Sequence, residues 1–115
     1  MATDDKRRAH RYDVDLAAEV RIGKRVIPAR TKNLSETGVC LESPMAFQEG
    51  GILDVNLILT VDGIEDVSTP PLELGASVVW STPGNDRAHI SGLEFSGIDA
   101  EKAGVLKGYL ALLRD

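Results

Sequence analysis

Four cationic side chains stand within six residues near the start of the chain, in Lys6-Arg7-Arg8-Ala9-His10-Arg11. Arg7 and Arg11 each present a planar fork of donors that can grip a phosphate through two parallel hydrogen bonds. The same fork fits the O6 and N7 edge of guanine, and arginines also stack on purine faces. A short basic cluster is equally consistent with a solubilising or juxtamembrane patch, so it defines no site alone. The second stretch is Asn33-Leu34-Ser35-Glu36-Thr37-Gly38, a polar turn between two apolar runs. Asn33 and Ser35 can hydrogen-bond their own backbone or be presented to a ligand. An asparagine there offers both a donor and an acceptor to a base or ribose edge. Gly38 permits positive φ or a close backbone approach. The two stretches read together as halves of one anion site.

Trp80 is the third feature and the only tryptophan. It shares parity with Leu72, Leu74, Ala76 and Val78, which fits core packing. An aromatic at the open end of a small barrel would equally stack on a purine. Catalysis finds no such support. His10 and His89 are isolated, neither has the local spacing of a zinc site, and no phosphate-binding glycine loop or nucleophile motif is present. The acidic residues fall on strand faces or in turns. Cys40, the one cysteine, sits in Val39-Cys40-Leu41 as a small buried hydrophobe rather than a staple.

Charge limits the partners. The net charge is -5, yet nine of the 13 Lys and Arg fall in residues 1–32, a local balance of +4 against -9 for the remainder. That asymmetry suits a small, multiply charged anion better than a long polyanion, and argues against nucleic acid as partner. No apolar run approaches the length of a membrane span. The acidic start, Met1 to Asp5, lacks the apolar core of a signal peptide, so a cytoplasmic location without membrane insertion is expected.

These residues need a scaffold, and the apolar pattern supplies one. At 115 residues and 43% hydrophobic, a single domain with a packed core is expected. Residues 1–13 lack periodicity and read as a flexible, ligand-binding segment. Residues 14–98 read as an antiparallel β-barrel of six strands at hairpin spacing. Period-two alternation runs from Val14 to Ile22 and across Leu53, Val55, Leu57, Leu59 and Val61, then from Leu72 to Trp80. Arg25–Thr31, Val39–Glu42 and Ala88–Phe95 complete the count. Pro28 predicts an edge or a bulge. The period changes at residues 99–115, where Ala103, Leu106, Tyr109, Leu110 and Leu113 make a helical stripe behind an Asp99 cap. Gly104 and Gly108 weaken that helix intrinsically, so it must be held by packing on the barrel.

With the motifs and elements assembled, Arg7-x-x-x-Arg11 followed by Asn33-x-Ser35-x-x-Gly38 resembles the PilZ domain, a bacterial receptor module for the second messenger cyclic di-GMP. The resemblance extends through Gly75–Trp80 and Gly92-Leu93-Glu94-Phe95 over essentially the whole chain. It implies an all-β fold, a six-stranded antiparallel barrel with a C-terminal helix packed on it, and an arginine segment wrapping over ligand on the barrel surface. It further implies that Arg7 and Arg11 contact guanine and phosphate, with Arg8 in the same ligand-binding segment, that Asn33 and Ser35 bind the guanine edge, and that Gly38 shapes the turn. Trp80 resembles an aromatic that in some members stacks near a guanine. Lys6 stands where many members carry another arginine; lysine keeps the charge without the fork, which bears on whether one ligand or a stacked pair binds. The implied function is a non-catalytic, cofactor-free switch acting through a separate protein partner, with motility, exopolysaccharide export and pilus function all compatible. The rival is a degenerate PilZ-like adaptor that binds no nucleotide; a single-stranded nucleic-acid binder and an enzyme rank below it.

Overall fold

The computed structural model describes residues 10–61, 64–65 and 71–113. The strands are β1 (Tyr12–Asp13), β2 (Ala17–Ile22), β3 (Arg25–Leu34), β4 (Gly38–Ser43), β5 (Ile52–Leu57), β6 (Thr60–Val61), β7 (Ile64–Glu65), β8 (Leu72–Pro83) and β9 (His89–Ser96). One helix, α1 (Ala100–Leu113), follows them. Six strands pair antiparallel in the order β3-β2-β5-β8-β9-β4, and β4 returns to β3. This closes the six-stranded barrel that the sequence predicts, while β6 and β7 form a separate ribbon.

Closure works because alternate side chains point to one interior. Val20, Leu34, Leu41, Val55, Leu57 and Ala76 are buried completely and belong to one apolar cluster. Each buried leucine or valine contributes on the order of 1.5–3 kcal/mol. The β2–β3 hairpin turns on Gly23-Lys24, with φ +59° at Gly23, where a two-residue turn requires glycine first. Pro28 pairs with Glu19 of β2, but β4 joins β3 only from Arg30 onward. The proline therefore occupies the half of β3 with a single partner strand, in keeping with its missing donor.

Helix α1 begins as its sequence specifies. The Asp99 carboxylate accepts the Lys102 N–H at 2.8 Å, and the Asp99 carbonyl accepts the Ala103 N–H. Leu106, Tyr109 and Leu110 enter the barrel's apolar cluster, and the Tyr109 hydroxyl donates to the Thr60 carbonyl at 2.6 Å. Gly104 and Gly108 lie on the exposed face. Packing offsets their cost, as expected.

Four boundaries differ from expectation. The first strand starts at Tyr12, inside the segment read as flexible, and breaks between β1 and β2. Both pieces run along one edge of β3, since β4 occupies the other edge at Asn33 and Leu34. Thr31 organises the break: its hydroxyl accepts the Leu16 N–H at 2.8 Å and donates to the Val14 carbonyl. Second, Asn33 and Leu34 belong to β3 rather than to the turn, which is confined to residues 35–37. Third, the long strand predicted through Val61 ends at Leu57 and resumes as β6. Fourth, Trp80 does not follow the parity of Leu72 to Val78. A bulge separates Val78, paired with Leu93, from Trp80, paired with Gly92.

Candidate functional site

Three local departures from regular β structure bring Arg11, Asn33 and Trp80 to one outer face of the barrel. The break after β1 is the first. With Tyr12 opposite Leu34 and Asp13 opposite Asn33, the residue preceding β1 arrives beside β3. Arg11 there donates from Nη1 to Asn33 Oδ1 at 3.0 Å, joining residues 22 apart in sequence. A bulge in β3 is the second: Thr31 pairs with Leu41 and Asn33 with Cys40, leaving Lys32 as the extra residue. Ile27, Ala29 and Thr31 face inward, and unbroken alternation would bury Asn33 as well. The extra residue instead turns Asn33 outward and Leu34 into the core.

The bulge at Val79 acts on Trp80 in the same way. It places the indole outside the barrel, 40% exposed, against the β9 backbone at Gly92. A Cβ at residue 92 would stand 2.2 Å from Trp80 Nε1 and 2.4 Å from Cε2. Glycine there is the condition for the ring to rest on the strand. Gly38 plays a related part: a Cβ would stand 2.3 Å from the Leu93 carbonyl oxygen, so only glycine lets β4 approach β9 this closely. Of the two roles open to Gly38 from sequence, close approach is the one observed. A cavity of about 170 Å³ results, lined by Arg11, Gly38, Val79, Trp80, Gly92 and Glu94 among others.

Ser35 is placed differently from Asn33. It is 1% exposed, and its hydroxyl accepts the N–H groups of Thr37 and Gly38 at 3.2 Å each. The Ser35 N–H bonds the Gly38 carbonyl at 2.9 Å. Ser35 thus ties the turn that carries the chain from Asn33 to Gly38, and its side chain points inward. Glu36, at the tip of this turn, lies 3.9 Å from Lys107 of α1, an exposed contact of small energetic weight. Lys6, Arg7 and Arg8 lie outside the described residues.

Arg11 and Glu94 place one positive and one negative side chain on the cavity lining. Burial pushes the Cys40 thiol above its ordinary value, while the positive charges of Arg11 and Lys32 act in the opposite direction. Arg30 pairs with Asp15 at 2.6 Å across the break before β2, well exposed on both sides. Glu94 and Gly92 were not singled out from sequence. The available signal was their position in the Gly92-Leu93-Glu94-Phe95 run, one strand away from Trp80. A larger cavity, about 610 Å³, lies elsewhere, at the split between β3 and the end of β4, and includes Pro28, Arg30, Ser43 and Arg87. Among the described residues, it contains none of the predicted site residues. Among the described residues, no group of three or more His, Cys, Asp or Glu is disposed to hold a metal, and no helix is long and apolar enough to cross a membrane.

A closed six-stranded antiparallel barrel with a packed C-terminal helix, carrying an arginine–asparagine pair on its outer face, defines the class of small β-barrel domains to which this chain belongs. The PilZ domain model matches residues 5–112, and the chain belongs to the PilZ domain family, whose members are receptor and adaptor domains rather than catalysts. Solved structures show the same fold. The structure of Bacillus subtilis inhibitor of motility, MotI/DgrA, superposes with a TM-score of 0.73 at 21% identity, over 90% of this chain and 48% of that one. This chain thus spans about half the length of that protein. The PilZ domain of YcgR from Escherichia coli, solved with c-di-GMP, superposes with a TM-score of 0.69 at 12% identity, over 93% and 91% of the two chains. The PilZ domain of CeSA from a cellulose-synthesising bacterium gives 0.59 at 19%, over 91% and 99%. No curated protein matches in sequence.

Proposed function

We propose that this chain is a cytoplasmic receptor for cyclic di-GMP that signals to a separate protein partner. The observation that carries the reading is the Arg11–Asn33 hydrogen bond beside an outward-facing Trp80. It joins the two motifs that resemble the family's ligand-binding signature. A dinucleotide with two phosphates and two guanines needs a charge clamp, a base reader and a stacking surface. Lys6, Arg7, Arg8 and Arg11 serve as the clamp, Asn33 reads a base edge, and Trp80 stacks. Gly38 keeps the barrel wall flat beneath the ligand, and Ser35 holds the turn from which Asn33 and Gly38 are presented. Likeness to the c-di-GMP-bound YcgR domain supports the same ligand class.

Binding would draw the Lys6–Arg11 segment over the barrel and bury its charges, changing the surface offered to a partner. Titration calorimetry with cyclic di-GMP tests the reading, with cyclic di-AMP and GTP as controls. The expected outcome is selective, saturable binding in the micromolar range or tighter, lost in Arg7→Ala and Arg11→Ala, with a molar ratio of one or two. Absence of heat, or binding unaltered in both variants, would sink the assigned site and favour an adaptor that acts without nucleotide.

A further inference from the structure

Resting on the receptor reading, we propose that Glu94 is a specificity-determining residue of the site, accepting the N1–H and N2–H donors of a guanine base. The argument begins with an imbalance of hydrogen-bonding groups. Arg11 is donor-only. Asn33 has one carbonyl oxygen and one NH2, and Arg11 already takes one of that oxygen's two lone pairs at 3.0 Å. What this pair offers a ligand is therefore mainly donors, which suit phosphate oxygens and the O6 and N7 acceptors of guanine. The Watson–Crick edge of guanine also presents two donors side by side, and these need an acceptor.

Among the described residues, Glu94 carries the one carboxylate lining the cavity. It sits on β9 directly opposite Gly38, exposed, two residues beyond the Gly92 that supports the indole. Gly92 lies between Trp80 and Glu94 and Gly38 lies across from Glu94, and neither has a side chain, so the cavity floor at both positions is backbone. At about 170 Å³ the cavity is smaller than the roughly 300–1,000 Å³ of a site enclosing a whole drug-sized ligand. It suits a fragment, such as one base stacked on Trp80 with an edge toward Glu94. Two carboxylate oxygens match N1–H and N2–H as a bidentate pair. The same carboxylate meets adenine's N1 lone pair unfavourably, so it rejects that base as well as selecting guanine.

The test measures affinities of the wild-type chain and Glu94→Gln for cyclic di-GMP, cyclic di-AMP and cyclic di-inosine monophosphate, which lacks the N2 amine. Circular dichroism checks that the exposed substitution leaves the fold intact. Wild type is expected to favour cyclic di-GMP over the inosine analogue by about tenfold or more, from one lost bond of a bidentate pair. Glu94→Gln is expected to weaken cyclic di-GMP by about tenfold and to bring the guanine-to-inosine ratio near one. An unchanged ratio in Glu94→Gln, or a wild type indifferent to the N2 amine, overturns the role of Glu94 while leaving the receptor reading standing. A wild type that binds no cyclic di-GMP overturns both.

Discussion

Gly92→Ala should dislodge Trp80 without damaging the barrel core. An added Cβ would lie 2.2 Å from Trp80 Nε1, whereas ordinary contact begins at 3.4 Å, so the ring must retreat by more than 1 Å. The indole is 40% exposed and can move toward solvent, which spares the β8 and β9 backbones. The cost therefore belongs at the low end of the usual range for overpacking, roughly 1 kcal/mol. For a domain of this size that corresponds to a fall in Tm of roughly 4 °C. Trp80 is the only tryptophan, so intrinsic fluorescence reports on this site alone. Its emission should shift to longer wavelength as the ring loses its cover. Gly104→Ala is the control with the opposite sign: a Cβ there meets nothing within 4 Å, and helix propensity should raise stability by roughly 0.5–1 kcal/mol. Unchanged emission and Tm in Gly92→Ala would refute the placement of the indole, and a loss well beyond 3 kcal/mol would mean that the wall itself, not a surface ring, had been disrupted.

Further perturbations probe the supporting structure and the clamp. Thr31→Val removes the acceptor for the Leu16 N–H in a buried setting, so urea denaturation should show a loss of roughly 1–3 kcal/mol; a loss below 0.5 kcal/mol would mean that Thr31 does not organise the break. Arg11→Lys retains charge but not the fork, so cyclic di-GMP affinity should fall by roughly tenfold, less than in Arg11→Ala. Equal affinity in Arg11→Lys and wild type would reduce Arg11 to a point charge. Burial holds the Cys40 thiol above its ordinary 9.0 and the Tyr109 hydroxyl above its ordinary 10.0. In alkali the unfolded chain ionises these groups first and binds fewer protons than the native state. Stability should therefore be unaffected by them below pH 9 and decline as pH rises beyond it. Cys40→Ala should flatten the first part of that decline, and an identical pH profile would show that Cys40 does not contribute.

Much of this protein was legible in its residue order because the relevant physics is local or periodic. Alternation at Leu72, Leu74, Ala76 and Val78 required a half-buried strand, and the stripe from Ala103 to Leu113 required a helix with one face covered. Asp99 marked that helix's start, and Pro28 marked a stretch with a missing partner strand. The two charged and polar motifs pointed to anion and base-edge recognition only when taken together, since a basic cluster alone fits a solubilising patch equally well.

The tertiary structure decided which way these groups face. A bulge is a count of residues against a partner strand, and no window of one strand contains the partner. Unbroken alternation along β3 and β8 would direct Asn33 and Trp80 inward. Paired with Leu41–Cys40 and Leu93–Gly92, these strands gain one residue each at Lys32 and Val79, and both side chains turn outward. The break that brings Arg11 to Asn33 likewise depends on Thr31, a residue 15 positions from the Leu16 amide it binds. Gly92 acquires its importance only because the indole of a neighbouring strand lies across it. Residue order therefore specified the chemistry and the scaffold, while strand pairing specified the face on which they meet, because orientation in a barrel is a property of pairs of strands.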